Sequence, residues 1–211
     1  LMIVMRDLVY YNFESSKFEV AQKHAIKLLK LSLAEKDTPS ITFAYNEMAR
    51  ILDSNGDSIK ALQYYQKAYQ ITVLFGKNLM GMAALSNNIG LGLKHIDPDS
   101  AAYYYRKSID YFKAAGVLNQ ISRPYGNLGW LYLQQQKFDS ALYYYHKSWH
   151  YEDSIGIKTA YSADPLTGLT LTFMDMGKTD SALFYAEKAI AFLEALPVKS
   201  RQQAEIYLIY S

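Results

Sequence analysis

Cysteine is missing altogether from this 211-residue chain. That excludes a disulfide framework, a thiolate nucleophile and any cysteine metal site. It leaves the compartment open, since cytoplasm and periplasm both fit. Net charge of one sign is nearly absent too. Twenty-two basic and 20 acidic side chains, dispersed along the chain, give a formal charge of only +2. With no basic tract, neither nucleic acid nor an anionic membrane surface is an expected partner. Long apolar runs are lacking as well. The opening Leu1-Met2-Ile3-Val4-Met5 stops at Arg6-Asp7, far short of the ~18 residues of a membrane helix and too short for a signal-peptide core. There is no nucleotide loop, nucleophile elbow or HExxH. The carboxylates each fit a cap, a turn or an exposed face, so the expectation is a non-catalytic chain without cofactor.

What is present is a period. Ala21, Ala61, Ala101, Ala141 and Ala182 are spaced 40, 40, 40 and 41 residues apart, each within a related run such as IKALQYYQKAY or DSALYYYHKSW. A fixed period of this size marks a stacked repeat array, whose units touch mainly their neighbours and together build an extended binding surface. Helix is the state with matching periodicity. Leu128 and Tyr132, then Ala141, Tyr145 and Ser148, keep three-to-four spacing, and no alternating strand pattern occurs. Gly76, Gly116 and Gly156 recur as C-terminal helix stops. Turns fall at Ser54-Asn55-Gly56-Asp57, Asp97-Pro98-Asp99, Gln136-Lys137 and Gly177-Lys178. Asp99, Asp139 and Asp180 sit where they can cap the second helix of a pair and meet its positive dipole end. Pro39 and Pro197 are expected between helices and Pro98 in a first turn. Pro124 and Pro165 must lie within the first four helical residues, which starts those helices near residues 120 and 161.

The expectation is therefore an all-α chain of five antiparallel helix pairs, at about 2–40, 41–79, 80–119, 120–160 and 161–199, forming one array. A terminal helix over 200–211 follows. It reads as the first half of a sixth unit, its apolar side chains a surface for self-association. Beginning at Leu and stopping within Ile206-Tyr207-Leu208-Ile209-Tyr210, the sequence reads as a piece of a longer protein.

In the fourth unit Tyr125-x2-Leu128-Gly129-x2-Tyr132, then Ala141-x3-Tyr145, resembles the tetratricopeptide repeat, with Tyr at the usual Trp place. Tyr45, Met48, Ala49, Leu52, Ala61, Tyr65 and Ala68 repeat the pattern, as do Leu166, Leu169, Thr170, Phe173, Ala182 and Ala189. The third unit keeps Ile89-Gly90 and Leu93 with one residue fewer before Ala101. The 40-residue length looks like the long-helix variety of kinesin light chains, spindle adaptors that bind Gα subunits, and bacterial peptide-sensing regulators. The resemblance implies a right-handed α-α superhelix acting as a non-catalytic protein- or peptide-binding module, such as the sensing or scaffolding part of a larger bacterial signalling protein.

It also implies a groove lined by the first helix of each pair. There lie Asn46 and Arg50, Asn87, Asn88 and Leu91, Arg123, Asn127 and Trp130, with Asp53, Lys94, Leu133 and Met174 further along. In long-repeat relatives, asparagines just before the Leu-Gly pair clamp a peptide main chain; Asn88 and Asn127 match that place, where Glu47 and Gly168 stand in other units. The residues are read as supplying amide pairing, acidic-group recognition by the arginines and one aromatic anchor in Trp130. The carboxylate clamp of chaperone-tail-binding relatives is echoed only by Asn88 and Arg123, since its lysine and second arginine places hold Asn46 and Asn127. Against this stands a second reading, a glycan-capture or cell-envelope scaffold using the outer aromatics Tyr103 to Tyr105 and Tyr143 to Tyr145. Packing of those tyrosines is the plainer account, the third of each run entering the core. His146 and His150 stand four apart, a spacing that can hold a metal, but no third ligand is evident and no metal is expected. The lysine ladder at 27, 67, 107, 147 and 188 is read as solvated surface.

Overall fold

The structure is a computed structural model, described here for residues 1–75, 78–154 and 160–196. Among the described residues there are ten α-helices and no strand. They pair through short connections: α1 (Met2–Glu14) with α2 (Phe18–Glu35), α3 (Thr38–Ser54) with α4 (Ser58–Phe75), α5 (Leu79–Leu93) with α6 (Pro98–Ala114), α7 (Ser122–Gln134) with α8 (Phe138–Asp153), and α9 (Asp164–Asp175) with α10 (Thr179–Glu194). Two compact parts are distinguished, Leu1–Ala115 with the first three pairs and a second beginning at Gly116 with the last two. Inside the first part α2 packs on α3 and α4 on α5; inside the second, α8 packs on α9. The expected helix over 200–211, Gly76, Gly156 and Pro197 lie outside the described residues.

All five periodic alanines are buried. Their small side chains let the two helices of a pair approach closely, and the tyrosine one turn later fills what remains. Tyr65, Tyr105 and Tyr145 are buried in this way. The space under the rings is supplied by absent side chains. A Cβ on Gly90 would stand 2.6 Å from the Tyr105 ring, one on Gly129 2.7 Å from the Tyr145 ring, and one on Gly168 closer still to Tyr145. Tyr145 is thus wedged between its own pair partner α7 and the following helix α9. The neighbouring tyrosine stacks outside the wedge, with Tyr144 on Tyr132 at 5.3 Å and an interplanar angle of 6°. In the last pair Tyr185 lies on Phe173 at 5.4 Å and 7°.

The turns repeat as faithfully as the core. Ser16, Gly56, Gln136 and Gly177 are all left-handed, at φ 57°, 83°, 55° and 70°. Each closes its helix with the same two bonds, for example Gly56 N–H to the Asp53 carbonyl at 2.9 Å and Asp57 N–H to that of Leu52 at 2.9 Å, the Schellman arrangement. Gly116, at φ 69°, occupies the left-handed position that Lys36 holds in the first pair. The third pair uses another device: Asp97 accepts from Ser100 N–H at 3.1 Å as N-cap of α6. Asp99, Asp139 and Asp180 are not caps. They lie in the first helical turn, where only the dipole interaction remains to them. Pro39 also differs from expectation, lying in the first turn of α3, where its missing N–H has no intrahelical partner to lose. Short 3-10 turns precede α7 and α9 (Leu118–Gln120 and Ala160–Ala163), which shifts those helix starts to 122 and 164.

Replacing Gly129 with leucine should cost ~1–3 kcal/mol by overpacking against Tyr145. Lys147→Leu on the exposed face of α8 should stay within ~0.5 kcal/mol, and equal shifts in thermal melting would contradict the wedge. Gln136→Gly should stabilise by ~0.5–1 kcal/mol, because a left-handed non-glycine residue is strained; denaturant unfolding measures it.

Candidate functional site

The first helices of the first part carry a continuous polar seam. It begins on α3, where Glu47 takes the place just before Met48-Ala49 that Asn88 takes before Ile89-Gly90. Glu47 is only 3 % exposed, yet both its oxygens are used. Oε1 accepts from Asn46 Nδ2 at 2.8 Å and Oε2 from Arg50 Nη1 at 2.9 Å. From there the seam runs in two directions. Arg50 Nη2 reaches Glu14 on α1 at 3.1 Å, with the guanidinium 4.0 Å above the Phe13 ring. Asn46 Oδ1 in turn accepts from Asn88 Nδ2 on α5 at 3.0 Å. Three consecutive first helices are therefore linked by side chains alone, and Asn46 and Asn88 stand at its half-buried surface.

Burial raises the Glu47 pKa above the ordinary carboxylate value, against the pull of Arg50 and the Asn46 bond. Tyr65 in the adjoining core is shifted upward as well, by burial first and by Asp53 second. Because the guanidinium of Arg50 is shared by two carboxylates, its charge is already compensated. Arg50 therefore does not stand ready for an acidic ligand group, and its expected role changes from ligand recognition to holding the seam. Asn87 and Leu91 on α5 are half-buried beside Asn88.

The second part places the remaining candidates on α7. Arg123 is exposed, and Asn127 and Trp130 are half-buried. Trp130 packs against the core formed by Leu133, Ala141, Tyr145, Leu166, Leu169 and Ala189, so one flank of the ring is already used. Leu133 belongs to that core and faces no groove, whereas Met174 is exposed.

A charged cluster that the motif pattern did not reveal lies at the start of α7 and α9. Glu152 accepts from the Ser122 hydroxyl, and Ser148 Oγ donates to the Ser122 carbonyl at 2.9 Å. Asp164 stands near them, open to solvent on one side but crowded by protein on the others. This desolvation and the nearby Glu152 raise its pKa to about 6, with Arg123 opposing. The signal was in the sequence only as two carboxylates twelve residues apart, and their meeting depends on the α8–α9 connection.

On the outer helices Tyr103 and Tyr143 are exposed, but each carries the lysine four residues on above its ring, Lys107 at 5.1 Å and Lys147 at 5.7 Å. His146 packs edge-on to Tyr185 at 5.8 Å, and burial and Lys188 lower its pKa. Among the described residues no group of three or more His, Cys, Asp or Glu side chains could hold a metal ion. Among them, too, no helix is long and apolar enough to cross a membrane.

A tetratricopeptide-repeat family model matches residues 44–72, the body of α3 and α4. This is a tetratricopeptide-repeat fold with 40-residue units. Solved structures agree across nearly the whole chain. BtubC (BKLC) from P. vanneervenii superposes with a TM-score of 0.70 at 18 % identity, covering 95 % of this chain and 91 % of that one. The apo form of RapI gives 0.77 at 16 %, covering 92 % and 69 %. A signal-transduction ATPase with numerous domains and a tetratricopeptide repeat sensor, from Pyrococcus horikoshii, gives 0.75 at 15 %, covering all of this chain but 33 % of that one. No curated protein matches the chain. Tetratricopeptide repeats are protein-interaction modules, and they generally serve as non-catalytic scaffolds.

Because Asp164 has a raised folded-state pKa, its stabilising contribution is present below its ordinary value near 3.8 and is lost as pH rises through about 6. Asp164→Asn should remove the part of the melting-temperature change between pH 5 and 7.5 that favours the acid side. A titration of the Asp164 carboxyl by NMR near its ordinary value would contradict this.

Proposed function

We propose that the first-helix face is a binding surface for an extended peptide, and that the protein is a sensing or scaffolding module of a larger signalling protein. The Asn46–Asn88 amide pair, anchored on buried Glu47, carries this reading. Holding an amide in place before a ligand arrives removes the ordering cost that a free asparagine would meet on binding. The 3.0 Å bond to Asn46 uses one of the two N–H groups of Asn88. The side chain keeps donor and acceptor capacity of the kind a peptide main chain needs, whatever its sequence.

Charge refines the ligand. The seam holds two carboxylates, Glu14 and Glu47, against the single guanidinium of Arg50. A segment bringing a basic side chain alongside its backbone amides suits that balance better than an acidic one. In the second part, taken by itself, Arg123, Asn127 and Trp130 on α7 are proposed as contacts of the same kind. The sensor role rests on the likeness to the archaeal protein whose repeats are a sensor, an analogy of fold alone. The glycan-capturing alternative needs aromatic rings open for stacking, and the lysines above Tyr103 and Tyr143 occupy one face of each.

Peptides of twelve residues, selected from a random display library and titrated by calorimetry, test the proposal. Asn46→Ala and Asn88→Ala should each weaken binding by ~3–10-fold, the worth of one or two hydrogen bonds, with melting temperatures measured in parallel. Lys147→Ala should leave affinity unchanged. Selected peptides indifferent to both asparagines but lost on Tyr103→Ala or Tyr143→Ala would overturn it in favour of the outer face.

A further inference from the structure

The repeats act as internal controls for one another, and the place where α4 meets α6 departs from the rest. Lys107 belongs to the lysine ladder, yet it is half-buried where Lys67 and Lys188 are exposed. Its ammonium lies 5.1 Å from the centre of the Tyr103 ring. Tyr69 of α4 and Tyr111 of α6 meet beside it, hydroxyl to hydroxyl at 3.2 Å. Tyr104 stands edge to face with its neighbours, 6.3 Å from Tyr69 and 5.4 Å from Tyr103. The corresponding places between α8 and α10, 80 or 81 positions on, are Trp149, Phe184 and Phe192 around Lys188. There Lys188 lies 5.1 Å from the Trp149 ring, and Trp149 packs edge-on to Phe192 at 5.6 Å. Forty positions before the α4–α6 set stand Leu29, Gln63 and Ile71 around Lys67. Second helices therefore pack at these places without phenol hydroxyls. The rings of the α4–α6 contact serve packing; their three oxygens are not needed for it.

What those oxygens surround is a charge. The Lys107 pKa is pushed up to about 12, by the Tyr103 hydroxyl first and by Tyr69 and Tyr111 as well, with burial opposing. The side chain is a cation throughout the neutral range, and among the described residues no carboxylate pairs with it. A phenol oxygen turned to an ammonium accepts from it, so its own proton is left to donate elsewhere. In the Tyr69–Tyr111 bond one hydroxyl donates and the other keeps its proton. The cluster thus offers O–H and N–H donors, a positive charge and no negative one. We propose that the Tyr69–Tyr103–Lys107–Tyr111 cluster binds a carboxylate of an acidic peptide segment on the outer helices of the first part. The single charge of Lys107 matches a carboxylate, whereas a phosphate monoester carries about −1.5 to −2. Tyr103, 52 % exposed, gives the neighbouring side chains of such a segment an apolar surface beside the charge. The site shares no residue with the Asn46–Asn88 seam, so either can fail without the other.

NMR on the full chain, isotope-labelled in its lysine and tyrosine side chains, tests this. The probe is an acetylated, amidated peptide with two glutamates flanked by alanines. It is added to ~10 mM, a range in which one or two charged hydrogen bonds register. The Lys107 Cε signal and the Tyr69, Tyr103 and Tyr111 ring signals should shift saturably, while Lys188 does not follow. The same peptide with glutamines should give no such shift, and inorganic phosphate should bind more weakly than the glutamate peptide. Tyr69→Phe/Tyr103→Phe/Tyr111→Phe removes three oxygens and keeps every ring. It should weaken binding at least ~10-fold, the worth of one hydrogen bond to a charged group, with the Lys107 signal as reporter. Lys107→Gln should abolish the ring shifts, and Asn46→Ala should leave the affinity unchanged. A wild type without saturable shifts overturns the proposal, as do equal shifts at Lys107 and Lys188. So does a triple phenylalanine variant that binds like the wild type, or phosphate that binds more tightly than the peptide.

Discussion

The packing of the third and fourth pairs depends on an aromatic ring set where the opposing helix has no side chain. The tyrosine one turn after the periodic alanine of the second, third and fourth pairs, at Tyr65, Tyr105 and Tyr145, is buried; the first and last pairs have Ala25 and Ala186 at that place. Tyr105 and Tyr145 are accommodated because the facing residues are Gly90 in the third pair and Gly129 with Gly168 around Tyr145. The ring touches both its own pair and, in the second part, the next first helix, so one side chain fixes the angle within a repeat and the step to the following one. Interiors are packed nearly as densely as crystals, and a wedge between two glycines has no slack to lose. This explains why small and aromatic residues recur with the period at the buried positions.

Once the second helices and the inner faces of the first are committed to that packing, the first helices are left with a face whose composition is not dictated by the core. There the chain places polar residues that bond to one another across helices. Glu47 is the costly member, a carboxylate taken almost wholly out of water. It is tolerated because Arg50 and Asn46 satisfy both oxygens; removal of Arg50 would leave a buried charge uncompensated, and removal of Asn46 would leave one buried oxygen without its hydrogen bond. The seam therefore does two things with the same bonds: it ties α1, α3 and α5 together, and it holds Asn46 and Asn88 in one geometry.

The outer helices settle their aromatic surplus differently. Tyr144 and Tyr185 stack on rings of their own pair. Tyr103 and Tyr143, too far out to be buried, lie under lysines of the next turn. Cation–π contacts at exposed sites contribute only ~0.5–1 kcal/mol each, enough to order the side chains without making a core. The lysine ladder, which is unremarkable as charge, is in this sense part of how the tyrosines are accommodated.

The repeat, the helical state, the periodic alanines and the small residues at Gly90 and Gly129 were legible in the sequence because packing of this kind is local and periodic: what one position requires recurs at fixed distance. Gly168, expected on the groove side at the place of an asparagine, instead lies beneath the Tyr145 ring. The capping aspartates were misplaced because a residue one or two positions inside a helix reads the same as one at its cap until the turn geometry is known. Arg50 and Glu47 show the deeper limit. The pattern placed both on the first-helix face, but left the charge of Arg50 free for a ligand and gave Glu47 no role beyond interrupting a row of asparagines. Their pairing, with Glu14 brought from 36 residues away and Asn88 from 42, depends on side-chain directions across three helices. The approach of Asp164 to Glu152 has the same character. Sequence alone determined which residues pack, since burial follows period; the tertiary structure decided which charges remain available, because that depends on partners no period relates.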